Sequence, residues 1–266
     1  MEFRTCVDIP KPDFLIEPCE SVLFVGSCFA DNIGQRFVDN KFRATVNPYG
    51  VMYNPASVLH TVERWTDTPR LVFITLGTNH VYRLNETGEI VDNCQKRPQS
   101  LFTEEELTVG QCADYLRRVA DVILKRRQDA HIIFTVSPIR YRKYGYHESQ
   151  LSKATLLLAV HEVCQSVPSA SYFPAYEIVL DELRDYRFYK EDMLHPSAQA
   201  VEYIWQQLVA HYFSPSARQF LQEWAPLKAA LAHRPFNPDS EDYRAFMDRT
   251  MQKVEAFENK YNKSEK

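Results

Sequence analysis

Three continuous apolar runs constrain this chain more than any other feature. Ser21-Val22-Leu23-Phe24-Val25 ends at Gly26, Leu71-Val72-Phe73-Ile74-Thr75-Leu76 ends at Gly77, and His131-Ile132-Ile133-Phe134-Thr135-Val136 ends at Ser137-Pro138. None alternates apolar with polar residues, so each reads as a strand covered on both faces. Tyr172-Phe173-Pro174-Ala175-Tyr176-Glu177-Ile178 is a weaker run, and its proline assigns it an edge or irregular position. Between the runs, apolar residues recur at helical spacing. Leu116, Val119, Ala120, Ile123 and Leu124 do so, leaving Arg117, Arg118 and Lys125 to solvent, and Val201, Ile204, Trp205 and Leu208 form a second stripe. Strands alternating with helices predict parallel β-α units and a three-layer α/β/α domain with a mostly parallel sheet. Ligands of such sheets bind beyond the carboxyl ends of the strands. Gly26-Ser27, Gly77-Thr78-Asn79 and Ser137-Pro138 should therefore share one rim.

The texture changes after residue 213. Four prolines (Pro215, Pro226, Pro235, Pro238) precede a charged helical stretch from Asp239 to about Tyr261, with no strand-like run. The expected organisation is an α/β domain over 1–213 and a helical C-terminal extension over 214–266 that packs on it and frays at Asn262-Lys263-Ser264-Glu265-Lys266. With 266 residues the chain is long enough to bury a large core without staples. A net charge of −4 excludes a chain-wide electrostatic grip on nucleic acid. No apolar stretch is long enough to span a bilayer, and the start lacks the pattern of a signal peptide, so cytoplasmic residence is expected. Cys6, Cys19, Cys28, Cys94, Cys112 and Cys164 show no metal-binding spacing. They are expected to be reduced thiols, with neither metal nor cofactor.

Ser27 follows an apolar strand and a glycine and precedes the start of a helix. Its hydroxyl then sits at the positive end of a helix dipole, and its N–H can face an oxyanion. Read locally, the same residue is equally an N-cap. Asp192-Met193-Leu194-His195-Pro196 precedes the second helical stripe. In this Asp-x-x-His spacing a carboxylate can hold imidazole Nδ1 and turn Nε2 toward a serine, with Pro196 starting the next helix. Alone, the spacing is also that of a surface turn. Asn79 at the end of the second run offers a side-chain amide to the same oxyanion, and Gly50 offers a backbone N–H. His80 and Tyr82 follow that rim position and Arg140 follows Ser137-Pro138, so all three are candidates for binding substrate. Cys28 beside the serine reads as a buried thiol, because the helix turns it elsewhere.

Gly26-Ser27-Cys28-Phe29-Ala30 matches the signature of the GSCFA domain family. The resemblance extends through Asn47-Pro48-Tyr49-Gly50-Val51-Met52-Tyr53-Asn54-Pro55, Ser137-Pro138-Ile139-Arg140, Ser152-Lys153-Ala154 and Asp185-Tyr186-Arg187-Phe188-Tyr189 to Asp192-Met193-Leu194-His195-Pro196. That family resembles the SGNH (GDSL-like) hydrolases, which implies a flavodoxin-like sheet and a serine hydrolase. By resemblance Ser27 is the nucleophile, His195 the base, Asp192 its orienting carboxylate, and Gly50 and Asn79 the oxyanion donors, with Asn93 the rival amide. The implied substrate is a small acyl ester such as an acetyl group on a carbohydrate or related alcohol. An O-acyltransferase and a catalytically silent binding scaffold are the alternatives. The oligomeric state is left open.

Overall fold

The computed structural model describes residues 4–92, 94 and 97–262. In chain order it runs β1 (Ser21–Gly26), α1 (Cys28–Asp39), β2 (Arg43–Val46), α2 (Pro55–Arg64), β3 (Leu71–Leu76), β4 (His80–Leu84), β5 (Ile90–Val91) and β6 (Phe102–Glu106). Then come α3 (Val109–Arg126), β7 (His131–Val136), α4 (Tyr146–Ser166), β8 (Ala170–Tyr172) and α5 (Ala175–Glu177), which continues into a π-helix over Ile178–Leu183. The last three elements are α6 (Ala198–Tyr212), α7 (Pro215–Leu231) and α8 (Glu241–Asn262). Residues 263–266, part of the end expected to fray, lie outside the described residues.

β1, β3 and β7 form the middle of a five-stranded parallel sheet ordered β2-β1-β3-β7-β8. Register pairs Val22 with Leu71 and Gly26 with Thr75, then Leu71 with His131 and Leu76 with Val136. Successive strand residues point to opposite faces, which divides the core in two. Val22, Phe24, Leu71, Phe73 and Ile133 pack with α1, α6, the π-helix and α7. Leu23, Val25, Val72, Ile74, Ile132 and Phe134 pack with α2, α3 and α4. The three-layer architecture expected from the runs is the one observed.

The helices start where local chemistry satisfies their first amides. Asn54 accepts from Ser57 N at 2.9 Å with Pro55 next, Thr108 and Gln111 form a capping box on α3, and Ser197 and Ser214 cap α6 and α7. In the C-terminal part, Trp224 of α7 donates from Nε1 to Asp39 O at 2.9 Å, and Phe220 meets Phe42, Phe257 and Tyr261.

Two parts of the fold depart from the expectation. The run from Tyr172 to Ile178 belongs to the sheet only at Tyr172, the last residue of the edge strand β8, and is not a strand beyond it. Phe173 N makes the last bond to Phe134 O, at 2.9 Å, and Pro174 has no N–H to continue the ladder, so the chain coils into α5 and the π-helix. The second departure is a separate three-stranded antiparallel ribbon, β5-β4-β6, between β3 and α3. β4 is His-Val-Tyr-Arg-Leu, β5 has two residues and β6 is Phe-Thr-Glu-Glu-Glu, so none carries an apolar run.

Candidate active site

β1 delivers Ser27 to the rim through a backbone that only glycine permits. Gly26 has φ +146°, and a Cβ there would stand 2.1 Å from Thr75 O. Gly26→Ala is therefore expected to destabilise the protein by about 3–5 kcal/mol, since a backbone atom cannot move aside. A urea titration of the purified variant checks it, and an unchanged midpoint would contradict it. Ser27 is 2% exposed, and its Oγ caps α1 by accepting from Phe29 N at 3.3 Å. Capping uses a lone pair and leaves the hydroxyl proton to give, so cap and nucleophile are compatible roles for one side chain. Asn47 braces this corner. Its Oδ1 accepts from Gly26 N at 2.8 Å, its Nδ2 donates to Asp31 Oδ1 at 2.6 Å, and its own N–H donates to Phe24 O.

The end of β3 lies against the same corner. A Cβ on Gly77 would lie 3.5 Å from Ser27 Cβ and 3.1 Å from Tyr53 O, so the β3 turn, Tyr53 and Ser27 are in contact range. Beneath it is a pair from α4. Ser152 Oγ accepts from Asn79 N and shares a hydrogen bond with Thr78 Oγ1, both at 3.1 Å. Lys153 donates from Nζ to Gly77 O at 2.6 Å and to Ser137 O at 2.9 Å, joining the ends of β3 and β7. Among the described residues, no acidic side chain bonds this wholly buried ammonium, and burial pushes its pKa down to about 7.

The Asp192–His195 turn is formed as the spacing predicts. His195 Nδ1 and Asp192 Oδ2 are 2.6 Å apart, and Asp192 Oδ1 accepts from Leu194 N and His195 N at 2.8 and 3.0 Å. These two backbone bonds and the imidazole hold the Asp192 carboxyl down at about 2, so it is ionised at any working pH. The turn docks on the residues after β7, where Arg140 N donates to Leu194 O at 3.1 Å. Pro196 and Ser197 then lead into α6. The Ser27 hydroxyl and His195 share no hydrogen bond, and contacts of this kind commonly tighten only when substrate binds.

A cavity of about 510 Å³ opens beside the β3 turn, within the size range of small-molecule sites. Tyr53, Thr78, Tyr141 and Tyr144 line it from the rim, and His80, Tyr82, Phe102 and Glu104 line it from the ribbon. His80 stacks on Tyr144 with centroids 3.8 Å apart and planes 3° from parallel, and Tyr144 is parallel to Tyr141. Both His80 ring nitrogens are buried with no hydrogen-bond partner among the described residues, and Glu104 Oε1 stands 3.6 Å away. Burial lowers the His80 pKa, leaving a neutral ring with one donor and one acceptor unused. Tyr82 donates to Glu104 Oε1 at 2.8 Å and meets Tyr144 Oη at 3.2 Å, with Lys143 on the same carboxylate.

Several of the expected site residues have other partners in the structure. The Asn79 amide faces inward and donates to Leu107 O at 2.8 Å, because the chain past Thr78 is already entering β4. Gly50 is exposed, with φ +90°, and its N–H donates to Asn47 O at 2.8 Å to close the Asn-Pro-Tyr-Gly turn. The Ser27 N–H donates to Thr75 O at 2.9 Å, extending the β1–β3 ladder by one residue. Asn93 lies outside the described residues. Arg140 does not line the cavity. Burial pushes the Cys28 thiol up, away from nucleophilic character, and among the described residues no disulfide joins any of the six cysteines. Asn47, Tyr53, Tyr144 and Lys153 were missed as contributors. The last was the most findable, as a lysine in a largely apolar helical stretch.

A parallel sheet layered on both sides by helices, with a serine at the β1–α1 junction and an Asp-x-x-His turn before α6, defines the class: the fold is that of the SGNH, or GDSL-like, hydrolases. It is similar to a protein from Streptococcus pneumonia assigned as a platelet activating factor, at 14% identity and TM-score 0.50 over 74% of this chain and 85% of that one. Similar too are a protein from Parabacteroides merdae assigned as a GDSL-like lipase (13% identity, TM-score 0.48, 76% and 99% covered) and an acetyl-xylooligosaccharide esterase mutant from Geobacillus Stearmophilus (12%, 0.45, 75% and 96%). The chain belongs to the GSCFA family, whose model matches residues 21–71 and 59–208. The model of the GSCFA domain protein, C-terminal domain, matches residues 224–265. A comparison with curated proteins finds no match. Among the described residues, no helix is long and apolar enough to cross a membrane.

Proposed function

We propose that this protein is a serine ester hydrolase that removes a small acyl group, such as acetyl, from a carbohydrate or related alcohol. The observation that carries the reading is the 2.6 Å Asp192–His195 pair on the rim to which β1 delivers a buried Ser27. Asp192 holds the imidazole by Nδ1, and His195 Nε2 takes the Ser27 proton as Oγ attacks the ester carbonyl. The tetrahedral oxyanion forms at the N-terminus of α1, where the Cys28 N–H has no intrahelical acceptor and the helix dipole favours negative charge. Collapse breaks the bond to the alcohol oxygen, which receives the proton from His195. Water, activated by the same imidazole, then releases the acid from Ser27. The cavity supports the choice of alcohol, since stacked aromatic rings and unused His80 nitrogens suit a ring that carries hydroxyls.

Labelling with a small uncharged fluorophosphonate tests the nucleophile. Wild type and Cys28→Ala are expected to label, and Ser27→Ala and His195→Ala are not. Folded wild type that stays unlabelled would remove the hydrolase reading, and loss confined to Cys28→Ala would move the nucleophile to the thiol.

A further inference from the structure

Arg140 stands four residues beyond the end of β7, where a guanidinium would ordinarily be read as a binder of substrate anions. Its contacts point elsewhere. The backbone N–H donates to Leu194 O at 3.1 Å and Nη1 donates to Met193 O at 3.0 Å. Both acceptors lie inside the turn that carries Asp192 and His195. Every other hydrogen bond found for residues 190–195 stays within that segment: Lys190 N to His195 O, Met193 N to Lys190 O, and the bonds to Asp192. Those bonds set the shape of the turn. Among the described residues, only the two from Arg140 tie it by hydrogen bonds to the rim.

The guanidinium is itself held. It lies over the rings of Tyr146, Tyr189 and Tyr186, with centroid distances of 4.3, 5.6 and 5.7 Å. Tyr146 opens α4, and the other two tyrosines precede the histidine turn, so one side chain joins the β7–α4 connection to the segment bearing the base. A planar guanidinium can lie on a ring while donating from its edge, whereas an ammonium has no such plane. Met193, whose carbonyl accepts, has φ +58°, a conformation that costs a non-glycine residue energy and persists only when neighbours enforce it. The turn is otherwise open to solvent, with the His195 and Asp192 side chains 38% and 43% exposed.

We propose that Arg140 is a positioning residue, which clamps the Asp192–His195 turn to the sheet rim so that the imidazole keeps the direction needed to take the Ser27 proton. The proposal rests on the serine hydrolase reading above. Arg140→Gln and Arg140→Lys test it in the full chain, each first shown to melt cooperatively. The rate of Ser27 labelling by the uncharged fluorophosphonate should fall about ten- to a hundredfold, the scale of a misplacement near 1 Å. With a neutral acyl ester, kcat should fall while KM holds. The proton shared by His195 Nδ1 and Asp192, followed by NMR, should broaden in the variants. A substrate-binding arginine would give the opposite pattern: labelling and the NMR signal unchanged, with KM raised for anionic esters alone, and that result overturns the proposal. If folded wild type does not label, the hydrolase reading fails. The imidazole signal then still decides the clamp, which stands if the signal broadens and falls if it does not.

Discussion

Replacing Ser27 with alanine is expected to lower ester hydrolysis by about 10⁴–10⁶-fold and also to lower stability by about 1 kcal/mol. Both losses come from one oxygen, which caps α1 and carries the proton that His195 would take. They can be separated. Glycine at an N-cap costs only a few tenths of a kcal/mol relative to serine, so Ser27→Gly should match Ser27→Ala in lost turnover but sit close to wild type in a denaturant titration. Asp192→Asn makes the complementary case. Its remaining oxygen can still accept from Leu194 N and His195 N, but an amide cannot hold the imidazole in the tautomer the base requires, and about 10⁴ in kcat is at stake. Retention of more than a tenth of wild-type turnover by Ser27→Gly would rule out a serine nucleophile.

Stability that climbs through mild alkali is the second expected result, and its source is Lys153. In the unfolded chain this amine holds its proton to about pH 10.5, and in the folded protein burial lowers the value to about 7. Below pH 7 both states are protonated, and the full cost of burying the charge is present. As pH rises above 7 the folded state sheds the proton while the unfolded state keeps it, so the unfolded state binds more protons and stability increases. At about 1.4 kcal/mol per pH unit, the gain between pH 7 and 9 is about 2 kcal/mol. Lys153→Met should abolish that slope, and it should lower stability at pH 9 by leaving Gly77 O and Ser137 O without a donor. Chemical denaturation at a series of pH values checks both, and parallel curves for wild type and variant would count against it.

The middle of the sheet was legible because burial on both faces forces apolar residues at every strand position, as in Leu71–Leu76. α3 and α6 were legible from their apolar stripes, and the start of α1 from its place after Gly26-Ser27. The ribbon and β2 were not, since Arg43 to Val46 pair at a partly wet edge and need no apolar pattern. At the site, the Asp192–His195 pair was readable because three residues of turn bring the two side chains together. The present partners of Gly50 and Asn79 were not readable, because both hinge on where a donor points, which spacing does not encode. The Gly50 N–H meets Asn47 O and the Asn79 amide meets Leu107 O. Arg140 differs: its residue type fits anion binding, but its partners are carbonyls 53 and 54 residues away.

The ribbon leaves the β3 turn and returns at Leu107, where Asn79 O accepts from Leu107 N and Leu107 O accepts from the Asn79 amide. Its two ends are thus stapled together at the exit, so β3 and α3 feel the same boundary whatever the intervening chain does. Residues 80–106 are a cartridge that supplies one wall of the cavity and none of Ser27, Asp192 and His195. Another hairpin grafted across the same staple would retune which molecule is admitted without disturbing the serine, and divergence among relatives would follow that seam.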